Sequence, residues 1–199
     1  MYDIRDNNTY VVRKLADGNC WMTQNLRLLG KRVLWPDDSD LAIANYTLWE
    51  PSYDSWCASI EQPCVDADRS LDSGNSADGA YYSWSAATAG TGTYSTTGNA
   101  SSSLCPKNWR LPTGGSSGEF QALYSKYNSS ALLRGNPFTA TISGYVFLGS
   151  VQSSLGLYWS STPYSDPAIA YDLALSESAV NPASPQERYF GLNIRCVAK

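Results

Sequence analysis

Histidine is absent from the 199 residues. This removes every mechanism built on a Ser-His-Asp or Cys-His arrangement and every His-ligated metal. Charge is scarce as well: 14 Lys and Arg against 18 Asp and Glu make 16% charged residues, below the roughly 25% usual in soluble domains. The net charge of −4 leaves no basic face for a polyanion, so nucleic acid is excluded as a partner. No apolar run approaches the ~18 residues of a membrane helix, and no internal repeat is present. The first ten residues, MYDIRDNNTY, hold no apolar h-region, so no signal peptide is read there; they read as the start of a domain or mature fragment.

Ser, Thr, Asn, Gly and Tyr stand where the charge is missing, with 14 Tyr, 7 Trp and 15 Gly. That composition suits strands, loops and adhesive surfaces rather than helical bundles. The length fits a single domain, residues 1–199, able to bury a sizeable core. Five cysteines in an acidic, Ser/Thr/Tyr-rich chain suggest disulfides and export. Cys57 and Cys64, in WCASIEQPC, are close enough to clip a short loop. Of the others, we pair Cys105 with Cys196 and leave Cys20 free, buried beside Trp21. The alternative is five reduced core thiols. With six residues between the close pair and no histidine, zinc is disfavoured.

Residues 9–28 place apolar stretches on both sides of Asp17-Gly18, which predicts a β-hairpin. Residues 30–78 are irregular, with Pro36, Pro51, Pro63 and the isolated Trp35, Trp49 and Trp56; they read as an ordered insertion, because the aromatics need a surface to cover. A first helix is expected over 78–89, capped by Asp78, and a second over 116–127, with Ser116 and Glu119 as a capping box and Phe120, Leu123, Tyr124 and Tyr127 as its apolar stripe. Residues 90–103 are expected as loop. From residue 141 the runs SGYVFLGS, LGLYWSST, IAYDLAL and YFGLNIRCVA read as short strands. Helices in the middle with strands at both ends make an α+β chain, two helices packed on short antiparallel sheets, with the opening hairpin paired to the last strand.

Four stretches carry a family resemblance: GNCWMTQNL (18–26), AYYSWSAA (80–87), CPKNWRLPT (105–113) and YWSST…AYDL…GLNIRCV (158–197). In order and spacing they resemble the Fibrobacter succinogenes major paralogous domain family. That family is similar to C-type lectin-like domains and to the variable proteins that retroelements diversify. The resemblance implies a C-type lectin-like fold, extracellular or cell- or virion-surface display, and ligand binding rather than catalysis. Within the third stretch, Pro106 and Pro112 fix an extended turn, Trp109 and Leu111 are expected as anchors, and a Cys105–Cys196 bond across so long a loop would contribute roughly 4–5 kcal/mol. Trp21, Trp84, Trp109 and Trp159 are expected in the core.

In the variable proteins that this chain resembles, mutagenesis acts on adenines and leaves residues that NNY codons encode. From Thr162 to Phe190 only Glu177, Gln186 and Glu187 fall outside that set, and Gly135–Glu187 holds no Lys or Arg. A bland Ser/Ala/Pro-rich β region gives much the same composition. The resemblance places a variable ligand-binding region at about 158–192, with Tyr164, Ser165, Asp166, Ala168, Ile169, Tyr171, Ser176, Ser178, Asn181 and Tyr189 as contact positions. Tyr supplies rigid amphipathic area, and Ser and Asn adaptable hydrogen bonds.

The expected partner is a macromolecule, a protein in preference to a glycan, with no membrane span. The other principal reading is a structural or adhesive cell-envelope module without diversification. A calcium-dependent lectin is disfavoured, because Glu61-Gln62-Pro63 lies in the wrong part of the chain and no Trp-Asn-Asp follows. No cofactor is expected; structural calcium on the Asp-rich segments 37–40 or 66–78 stays open. Catalysis is disfavoured: Cys20, Cys57 and Cys64 sit in no formylglycine-generating motif, and no carboxylate pair marks a strand end.

Overall fold

Asp17-Gly18 does make the turn of a hairpin, the one joining residues 12–14 to 20–22. In the structure, a computed structural model describing residues 1–30, 32–48, 70–74, 78–148, 150–152 and 154–199, Gly18 has φ +91°, which a side chain would oppose. Two hairpins open the chain: β1 (Tyr2–Asp3) with β2 (Asn8–Thr9), and β3 (Val12–Lys14) with β4 (Cys20–Met22). Next come β5 (Arg32–Leu34) paired with β6 (Tyr46–Leu48), and β7 (Ser70–Asp72) paired with β8 (Ala80–Tyr82). Then follow α1 (Trp84–Ala87), β9 (Trp109–Arg110), α2 (Glu119–Tyr127) and α3 (Ser130–Arg134). β10 (Tyr145–Phe147) pairs with β11 (Ser150–Gln152). The longest strands, β12 (Gly156–Pro163), β13 (Ile169–Leu175) and β14 (Val180–Glu187), form an antiparallel meander. β15 (Val197–Ala198) closes the order. The result is α+β, mostly short antiparallel sheets with three short helices among the described residues, none long and apolar enough to cross a membrane.

β15 lies between β4 and β9, with Val197 facing both Trp21 and Arg110. The β3–β4 hairpin is thereby joined to the last strand, as expected. The Cys105–Cys196 disulfide, with Cα atoms 5.9 Å apart, holds the turn before β9 to the residue immediately ahead of β15. Cys20 is free, but it is exposed and not buried. Successive strand residues point to opposite sides, and Trp21 takes the buried side. Cys57 and Cys64, like Trp49 and Trp56, lie outside the described residues. The described part of 30–78 places Leu34 and Leu48 in the core, while Trp35 is 51% exposed.

The meander separates two apolar clusters by strand alternation. Leu157, Trp159 and Ala170 join Trp84, Leu192 and Ile194 on one face. Tyr158, Leu173 and Leu175 join Trp21, Phe120, Leu123 and Phe138 on the other. Trp21, Trp84 and Trp159 are fully buried, whereas Trp109 on the short β9 is only half-buried. The first helix begins later than its pattern suggests. Tyr82 exchanges backbone hydrogen bonds with Leu192, at 2.8 and 2.9 Å, so 80–82 is strand and Ser83, not Asp78, caps a single helical turn. α2 also starts later, at Glu119, and Ser116 does not cap it. Thr113 does so from six residues upstream: Glu119 N donates to Thr113 Oγ1 at 2.9 Å, and Thr113 N donates back to Glu119 Oε2 at 2.9 Å. Burial raises the Glu119 pKa, but the Arg110 fork and the Thr113 donors outweigh it and hold the carboxyl below its ordinary value.

Two elements departed from the sequence pattern in the C-terminal half. β14 carries Pro182 and Pro185, which a sheet tolerates here because β14 is an edge strand. The run 189–196 is no continuous strand; it threads the interior through isolated pairings of Gly191 with Val146, Leu192 with Tyr82 and Asn193 with Tyr158.

On the central strand, Asp172 is fully buried on the Trp159 side, opposite Ser184, and its carboxylate oxygens have no hydrogen-bond partner in acceptable geometry among the described residues. Burial drives its pKa well above the ordinary value, with Ser184 opposing. A raised folded-state pKa means folding favours the protonated form. Stability is therefore complete below the unfolded value of about 3.9 and falls as pH rises toward the folded value. Asp172→Asn should remove that decline and raise stability at neutral pH by about 1–3 kcal/mol, read from urea unfolding at a series of pH values. Alkylation of the native chain followed by peptide mass mapping should label Cys20 and spare Cys105 and Cys196.

Candidate ligand-binding face

The turn between β12 and β13 is built by its own polar groups. Tyr164 N donates to Ile169 O at 3.1 Å, Ile169 N to Asp166 O at 3.1 Å, and Ala168 N to Asp166 Oδ1 at 2.8 Å. This leaves Ser165, Asp166 and Pro167 exposed and Ala168 and Ile169 half-exposed. Tyr164 and Tyr171 meet edge to face, with ring centroids 5.1 Å apart, a geometry their quadrupoles favour. Six of the expected contact positions, from Tyr164 to Tyr171, thus converge on one end of the meander.

Two loops brace this end. Gly114 N donates to Thr162 Oγ1 at 2.8 Å, and Thr162 Oγ1 donates to Asn99 Oδ1 at 2.7 Å. Ser160 Oγ donates to Tyr171 O at 2.6 Å across a bulge in the ladder. The 114–115 loop comes so near that a Cβ on Gly114 would lie 2.3 Å from Ser160 Oγ and 2.7 Å from Tyr171 Cβ. Glycine there is what allows the Tyr171 ring to rest on the loop.

The remaining positions lie elsewhere. Ser176, Ser178 and Asn181 gather at the opposite end of seven-residue β13, roughly 20 Å away at the rise of a strand. There Ser176 Oγ accepts from Ser178 N and Ala179 N, and Asn181 Oδ1 accepts from Ala183 N, so their oxygens build turns. Tyr189 is only 6% exposed. Its ring packs on Phe190 at 5.0 Å and Phe147 at 6.3 Å, and that aromatic cluster takes it away from the face on which it was expected. Of the Asp-rich segment 37–40, Asp38 accepts from Trp35 N and the Ser39 hydroxyl. Asp40 pairs with Lys199 and Ser103, and no group of three metal-ligating side chains converges among the described residues.

The residue that sequence reasoning missed is Arg188, fully buried beneath the face. Its guanidinium donates to Ile169 O at 3.0 Å, Gly92 O at 3.2 Å and the carbonyl of Ser95, and it lies 4.1 Å from the Trp84 ring centroid. Burial pushes its pKa down to about 10, with Asp166 opposing. A signal was present: Arg188 is the only Lys or Arg between Gly135 and Ile194, and a lone cation in such a run calls for a dedicated set of acceptors.

Compared with family models, with curated proteins and with solved structures, the chain matches none.

Arg188→Lys should destabilise the fold by on the order of 3 kcal/mol, because a point-charge ammonium cannot span the same carbonyls or stack on Trp84; thermal unfolding measures it. Gly114→Ala should cost about 1–3 kcal/mol and displace Tyr171, visible as altered ring resonances of Tyr164 and Tyr171.

Proposed function

We propose that this chain is a non-enzymatic ligand-binding display protein on a C-type lectin-like scaffold, with its C-terminal region diversified by a retroelement and exposed at a cell or virion surface. One observation carries the reading: most of the motifs' large side chains are buried, while the expected contact positions at one end of the meander are open. Trp21, Trp84, Trp159, Arg195 and Cys196 are buried, while the positions from Tyr164 to Tyr171 stand wholly or partly open at the end of the meander. A frame that buries its recognisable residues and exposes a Tyr/Ser/Asp cluster can vary the cluster without losing the fold. The pairing of the β3–β4 hairpin with the last strand and the Cys105–Cys196 bond fit the scaffold; the single-turn α1 is shorter than its motif suggests.

The Tyr164–Tyr171 pair supplies amphipathic area with few rotatable bonds, and Ser165 and Asp166 supply adaptable hydrogen bonding. A protein partner is the reading that this chemistry favours. The functional contact set is narrowed to Tyr164–Tyr171, since Tyr189 is packed inside.

The gene and its neighbourhood test the proposal. A near-copy template of the segment coding for 158–190, beside a reverse transcriptase gene and differing at adenines, is the expected finding. Its absence would leave a fixed adhesive or structural module. Independently, a library with NNY codons at 164, 165, 166, 168, 169 and 171 should retain cooperative unfolding in most members, whereas the same codons at 188 and 195 should abolish it.

A further inference from the structure

The loop over 90–103 lies against the end of the meander that carries Tyr164–Tyr171, and it is fastened there at three places. Arg188 makes the first: one guanidinium donates to Gly92 O and the Ser95 carbonyl on the loop and to Ile169 O on β13. Thr162 Oγ1 donates to Asn99 Oδ1 at 2.7 Å, and Ala100 N donates to Ser161 O at 2.8 Å. The Ser95 and Ile169 carbonyls are thus separated by no more than the span of one guanidinium and two hydrogen bonds, about 8 Å.

The tip of this loop is held from below. Gly92 rests on the same Trp84 ring that Arg188 covers, so closely that a Cβ there would lie 2.5 Å from Cη2. Both neighbours of Tyr94 are tied down. Thr93 Oγ1 donates to Gly90 O at 2.9 Å and meets Ser85 Oγ at 3.0 Å, while Ser95 Oγ donates to Thr97 O at 2.7 Å and Ser95 N to Gly92 O at 2.9 Å. Between them the Tyr94 ring stands out, 65% exposed. An aromatic ring presented outward on backbone that is already ordered loses little entropy when it is covered, which is what an interface anchor requires.

The outward charges beside this ring have one sign. No charged residue occurs between Asp78 and Lys107, and Gly135–Glu187 holds no Lys or Arg. Asp166 is exposed, and Glu187 is half-exposed opposite Ile169. Arg188 is wholly buried, with its nitrogens turned to backbone carbonyls. A tyrosine-bearing surface whose outward charge is negative complements a partner surface that carries Lys or Arg, since such cations pair with carboxylates and stack on aromatic faces.

We propose that the 92–97 loop is a fixed half of the recognition face, with Tyr94 as its anchor, and that the face takes a cationic protein surface. This rests on the reading of Tyr164–Tyr171 as a contact set. Tyr94 lies outside the 158–192 tract and would be the same in every diversified copy. It supplies affinity that all copies share, and Tyr164–Tyr171 supplies the choice of partner.

The test is a displayed library of the full chain, with NNY codons at 164, 165, 168, 169 and 171 and Asp166 kept, selected separately against lysozyme, a basic protein, and ovalbumin, an acidic one. Lysozyme binders should outnumber ovalbumin binders. Tyr94→Ala, made in each lysozyme binder, should weaken the dissociation constant about tenfold and move the thermal midpoint by no more than about 2 °C. Tyr94→Phe should keep most of the affinity. Affinities unchanged by Tyr94→Ala in most clones, losses that follow a fall in the thermal midpoint, ovalbumin binders as numerous as lysozyme binders, or no binders at all would each overturn the proposal. The two readings fail separately: a missing template repeat removes diversification and leaves Tyr94 in a fixed face, whereas affinities indifferent to Tyr94 leave Tyr164–Tyr171 standing alone.

Discussion

Buried carbonyls outside regular structure must find donors, and in this chain two guanidiniums supply many of them. Backbone acceptors left unpaired in an interior cost as much as a lost hydrogen bond. Arg188 gathers the carbonyls of the 92–95 loop and of Ile169. Arg195 gathers Phe138 and Thr139 while its Nε donates to Asn25 at 2.8 Å. Each ring of donors also lies against an aromatic face, Trp84 for Arg188 and Phe138 for Arg195. Burial lowers the pKa of both arginines, and a guanidinium still keeps its proton where an ammonium would not. The loops can be irregular because these two side chains complete their hydrogen bonding.

Two asparagines extend the same solution. Asn25 donates to Asp78 O and Thr141 Oγ1, and Asn193 donates to Asp78 O and Ala80 O, each at 2.8 to 3.1 Å. Together they hold the approach to β8 between the segment after β4 and the buried run after β14. The polar residues Asn25 and Arg195 thus have a structural role as definite as that of the tryptophans.

What the sequence made legible were features set by local rules. The Asp17-Gly18 turn, the alternation in β12 and β13 and the apolar stripe of α2 could all be read from short stretches. Features set by distant partners could not. The strand at 80–82 exists because Leu192 pairs with Tyr82. The cap of α2 comes from Thr113 rather than from the nearer Ser116, and Tyr189 turns inward because Phe147 and Phe190 offer it a cluster. On the candidate face, the resemblance suggested a tract but carried no geometry: it could not tell that β13 would carry Ser176, Ser178 and Asn181 to the opposite end from Tyr164, nor that Arg188 would anchor the strand beneath.

The bond between Cys105 and Cys196 also determines how a mechanical load would travel. Every residue from 106 to 195, the whole meander and its exposed turn included, lies inside the covalent loop it closes. Tension drawn along the backbone from before Cys105 to beyond Cys196 passes from sulfur to sulfur and bypasses the enclosed segment. A ligand held at Tyr164–Tyr171 would pull on a part of the chain that such tension does not stretch, so the face could keep its shape while the segments on either side of the loop bear the strain.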